Sequence, residues 1–192
     1  MEFTDYQKAS LKHLNTCKVM LDSMTLLASN ASAEINIVNK KQAILHNLFY
    51  HSGYTLECII NYAILKHYKW KAGKAVGDTL PDHSFSKKSG IAFYRDTKTQ
   101  TGGVYAFNFQ GHDFQRNIQV LTKALPASNI PLLDRSVRID ADLSKLLRAW
   151  QVEVRYHPSD TMYSNITLTQ STVERFVNLT NNIYNELMKL VG

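Results

Sequence analysis

Cysteine is nearly absent: only Cys17 and Cys58 occur in 192 residues. No disulfide framework can hold this fold, and a reducing, cytoplasmic setting is expected. Proline and glycine are also scarce, at four and eight residues, which excludes fibrous and low-complexity classes. No apolar run approaches the roughly 20 residues needed to cross a bilayer, so no membrane association is expected. The opening stretch MEFTDYQKAS lacks a cationic segment leading into an apolar one, so no secretory signal is read there. Metal-site spacings such as CxxC and HExxH are missing, as are phosphate loops and the usual serine or cysteine nucleophile motifs. The seven histidines are scattered, and His46 and His51, five apart, fall on different faces of a helix. No metal and no cofactor is therefore expected.

What remains is an ordinary globular composition, 44% hydrophobic and 20% charged, in a chain of one-domain length with enough residues for a real core. A single domain over residues 1–192 is expected. The formal charge of +6 is unevenly placed. Residues 66–98 hold Lys66, Lys69, Lys71, Lys74, Lys87, Lys88, Arg95 and Lys98 against only Asp78, Asp82 and Asp96. Positive charge gathered in one stretch favours a polyanion such as RNA.

Five stretches carry helical periodicity. In the first, Leu11, Leu14, Cys17, Leu21 and Met24 recur at three- and four-residue steps, with Thr4 or Asp5 as cap. The second covers about 38–69 and contains Gly53, which costs about 1 kcal/mol relative to alanine in a helix and predicts a close helix crossing. The third covers about 113–125. The fourth covers about 140–155, with Leu143, Leu146, Leu147, Trp150 and Val154 in one stripe and Pro158 beyond it. Ser171 and Glu174 predict a capping box that opens the fifth. Residues 70–111 break the pattern. IAFYRD and VYAFNF, separated by TKTQTGG, read as a β-hairpin or loop insertion. The fold class is all-α: a four- to five-helix bundle with one basic, aromatic insertion.

Two motifs stand out. Gly53-Tyr54-Thr55-Leu56-Glu57-Cys58 places one carboxylate in an otherwise apolar helix, and Trp150-Gln151-Val152-Glu153-Val154-Arg155-Tyr156-His157-Pro158 closes the fourth. A buried acid needs a partner, and Arg155 is the partner expected for Glu57. The two either tie the helices together as an ion pair or, with Tyr54, Tyr156 and His157, line a polar cleft.

These motifs resemble the second- and fourth-helix signatures of HEPN-domain proteins. Gly111-His112-Asp113 is similar to the Gly-His-Asp/Asn that many members carry between them. The resemblance covers about 40–190. It implies a bundle of four or five helices, usually a homodimer, in a bacterial toxin–antitoxin or phage-defence setting. Catalytic members carry an arginine followed four to six residues later by a histidine, and no histidine here has one. Asn61 stands where many members have lysine. Members without that signature resemble binding subunits partnered with a nucleotidyltransferase or an antitoxin.

The expectation is accordingly an RNA-binding or regulatory protein. Lys87, Lys88, Arg95 and Lys98 would meet phosphates, while Phe93, Tyr94 and Tyr105 would stack on bases. Two alternatives stand beside it. One is an atypical metal-independent ribonuclease using Arg155, His157 and His112 as cation, acid and base. The other is a protein-interaction module acting through the hairpin.

Overall fold

The computed structural model describes residues 2–29, 35–74, 76, 91–93, 107–109, 114–125, 130, 140–151, 154, 166 and 168–192. Among the described residues the fold is an all-α bundle of α1 (Phe3–Ser29), α2 (Ile35–His67), α3 (Phe114–Ala124), α4 (Ala141–Ala149) and α5 (Gln170–Val191). None of these helices is long and apolar enough to cross a membrane.

Helices α1 and α2 form an antiparallel hairpin. Leu14, Cys17 and Met24 are buried with Leu21 packed beside them, so steps of three and four residues make one seam along α1. The seam reads off in opposite directions on the two helices. Ser10 Oγ donates to the Thr55 carbonyl at 2.9 Å, whereas Cys17, further along α1, meets the earlier Leu48 carbonyl at 3.9 Å.

Helix α2 is buried around its circumference over 55–65. Leu56, Ile59, Ile60, Ala63, Ile64 and Leu65 are all at 1% exposure or less, the pattern of a central helix. It touches α1, α3 and α5. Phe49 packs on Phe176 of α5 with ring centres 5.7 Å apart. On the α3 side, Asn117 Nδ2 donates to Asn61 Oδ1 at 2.7 Å, both side chains being buried. The helix ends through a left-handed residue, Lys69, with φ of 60°. The Trp70 N–H bonds the Leu65 carbonyl and the Lys69 N–H bonds the Lys66 carbonyl. This is the Schellman pattern, and Trp70, at 6% exposure, supplies its apolar contact.

Four sequence expectations change. Asp5 is not the cap of α1; it lies in the first turn and its carboxylate accepts the Glu2 N–H at 2.8 Å. The capping box of α5 is real but begins at Thr169, paired with Thr172 rather than at Ser171 with Glu174, because threonine at both positions lets each hydroxyl take a backbone N–H. Helix α4 stops at Ala149 instead of running to 155. Trp150 is its cap with ψ of 131°, and the chain leaves the helix so that the indole turns onto α2. Trp150 and Val154 are still buried, at 5% and 0%, so the apolar stripe continues without the helix. Finally, β1 (Ile91–Phe93) and β2 (Phe107–Phe109) pair in parallel, with Ile91 opposite Phe107. A hairpin is antiparallel, and a parallel pair needs a connection of about a dozen residues or more, which 94–106 supply.

Candidate functional site

The antiparallel register of α1 and α2 sets two histidines face to face. His13 and His51 approach with Nδ1 atoms 2.8 Å apart and ring centres 5.0 Å apart. Tyr54 lies against His13 at 4.7 Å, and Tyr50 packs on His51 at 5.0 Å. All four rings are half-buried. The cluster thus sits where α1 and α2 meet solvent. Burial holds His13 down to about 4, with His51 and then Lys12 adding to the effect. Burial, then Lys12, also lowers His51. Both imidazoles are neutral at physiological pH, so one Nδ1–H donates to the lone pair of the other.

One turn along α2, Gly53 meets Trp150. A Cβ at Gly53 would fall inside the indole, against Cδ1, Nε1 and Cε2. The missing side chain is therefore the seat of the indole, not a crossing of two helix backbones. The Trp150 Nε1–H donates to the Tyr50 carbonyl at 3.1 Å, and Tyr54 meets the indole edge-on at 6.2 Å. The helix-two and helix-four motifs start from this one junction. Glu57 lies the next turn along and is buried at 2% exposure. Asn61 follows another turn on, bonded to Asn117.

Of the residues expected to act, Glu57 and Tyr54 are placed as described. Phe93 falls in β1. Lys87, Lys88, Tyr94, Arg95, Lys98, Tyr105, His112, Arg155, Tyr156 and His157 lie outside the described residues, and with them the expected Glu57–Arg155 pair. The two cysteines are free and buried. Burial pushes the Cys17 thiol up to about 11, against a smaller opposing effect of Ser52. Burial and then Glu57 push Cys58 up to about 12, so neither is a thiolate at neutral pH.

The sequence reading missed the His13–His51 contact, although a signal for it exists. In an antiparallel helix pair, residues equidistant from the connecting loop face each other. His13 and His51 each lie 19 positions from residue 32. Comparison of the chain with family models, curated proteins and solved structures gives no match.

Proposed function

We propose that the chain is a HEPN-like RNA-binding or regulatory protein of a bacterial defence or toxin–antitoxin system, cytoplasmic and homodimeric, without the family's ribonuclease activity. The observation that supports this reading best is the junction of Trp150 with Gly53 and Tyr50. The two short motifs that carry the resemblance are nearly a hundred residues apart in the chain, yet they begin from one contact in a helical bundle. A buried Glu57 stands one turn further, where the motif places its carboxylate. The charge of +6, concentrated in 66–98, supplies the attraction to a polyanion.

The test is RNA binding by fluorescence anisotropy over a salt series, with a variant in which Lys87, Lys88, Arg95 and Lys98 are all glutamine. The affinity of the native chain should fall steeply with salt, and the variant should bind more weakly with a shallower salt slope. An unchanged affinity in the variant would remove the basic segment from the interface. Cleavage of the RNA in EDTA would replace the binding reading with the ribonuclease one.

A further inference from the structure

We propose that His13 and His51 form a two-imidazole site for a divalent transition-metal ion of the Zn2+, Ni2+ or Cu2+ class, which clamps α1 to α2. The argument begins with direction. The Nδ1 atoms are 2.8 Å apart while the ring centres are 5.0 Å apart, so the two nitrogens point at each other nearly head-on. Two imidazoles bound to one tetrahedral ion, at about 2.0–2.1 Å from each nitrogen, keep their ring centres about 5 Å apart. The rings already hold that separation. A small change in their side-chain torsions would bring both lone pairs onto a shared ion.

Protonation fits as well. A metal takes the neutral imidazole, and both rings are neutral here at physiological pH. The imidazole that now donates its Nδ1–H would carry that proton on Nε2 instead. Both rings are partly exposed, so solvent can move it, and binding releases no net proton. Lys12 is the charged neighbour felt at both rings. It is exposed and its long side chain can swing away from an arriving cation. Among the described residues no group of three or more His, Cys, Asp or Glu is placed to hold a metal. The remaining positions would fall to water or to an oxygen or nitrogen donor of a bound molecule. The neighbours restrain the rings: Tyr50 and Tyr54 pack on them, and Tyr54 leans on Trp150. The site would therefore brace the same junction that joins the two motifs.

Zn2+ added alone to the metal-free chain tests this by 15N NMR of the histidine side chains. Two of the seven imidazoles should respond at Nδ1, at one ion per chain, and Mg2+ should produce no response. Thermal unfolding should shift upward by about 5–10 °C at a hundredfold excess of Zn2+ over its Kd. His13→Gln and His51→Gln should each weaken Zn2+ binding at least about tenfold. No imidazole response in the native chain, a response from other histidines, or undiminished affinity in folded single variants would overturn the site. If the variants fail to fold, the native-chain spectrum alone decides.

Discussion

Replacing Gly53 by alanine sets two opposing effects against each other, and the structure says which wins. In an exposed helix the change would stabilise by about 1 kcal/mol. At Gly53 the new methyl would overlap three atoms of the Trp150 ring. That ring is 5% exposed and held by its hydrogen bond to the Tyr50 carbonyl, and a rigid indole cannot yield at one end as a flexible side chain can. Overpacking of this kind costs about 1–3 kcal/mol. Displacing the indole far enough to clear the methyl also breaks its hydrogen bond, about 1 kcal/mol more. After the helix-propensity gain the net loss should be about 2 kcal/mol. Urea denaturation of the two proteins, with equal m-values, measures it. Trp150→Phe removes the indole nitrogen and shortens the ring system, so in that background Gly53→Ala should cost at least about 1 kcal/mol less. A Gly53→Ala protein as stable as the native chain or more so would refute the packing argument.

Three further outcomes are expected. Because His13 is held near 4 when folded and near 6.5 when unfolded, the unfolded chain takes up the proton first. Stability should therefore fall as pH drops from 7 towards 4, by about 1–2 kcal/mol from this ring after allowance for its half-exposure. The groups facing it are His51, Tyr50, Tyr54 and Lys12, and urea midpoints at pH 7 and pH 5 should converge in His13→Gln. Lys69→Gly should raise stability by about 0.5–1 kcal/mol in the same assay, since glycine adopts the observed φ of 60° without the penalty a side chain carries; a loss would mean that the lysine side chain contributes more than its backbone costs. Glu57→Gln and Arg155→Met should each destabilise substantially. If they contact each other, the double variant should lose less than the sum, whereas strict additivity would separate them.

The helices were legible because their apolar residues recur at the helical period. Leu14, Cys17, Leu21 and Met24 of α1 show it plainly: their steps of three and four residues form one seam against the core. Ends were less legible, because a cap depends on which of several suitable side chains reaches the backbone first. Thr169, Ser171 and Thr172 are all competent caps, and only the three-dimensional path selects Thr169. Periodicity also misread the end of α4. Trp150 and Val154 keep a four-residue spacing, and burial alone cannot say whether the backbone between them is helical. The β pairing was misjudged because strand propensity is local, while strand direction depends on where the connection travels. In the candidate site, Gly53 announced a close approach but not what approached it. His13 and His51 are lone histidines in sequence and become a pair only through the helix register.

The hydrogen bond between Asn61 and Asn117 bears on how this chain can vary. Two amides facing each other inside an apolar core accept only one docking register, because a slip of α3 by a turn would strand both. The bond therefore fixes where α3 must dock, whatever the length of the connection beyond Val76. Doubling a flexible connection costs only about 0.6 kcal/mol in closure entropy. The connection between Val76 and α3 can therefore change in length while the Asn61–Asn117 contact keeps the docking register.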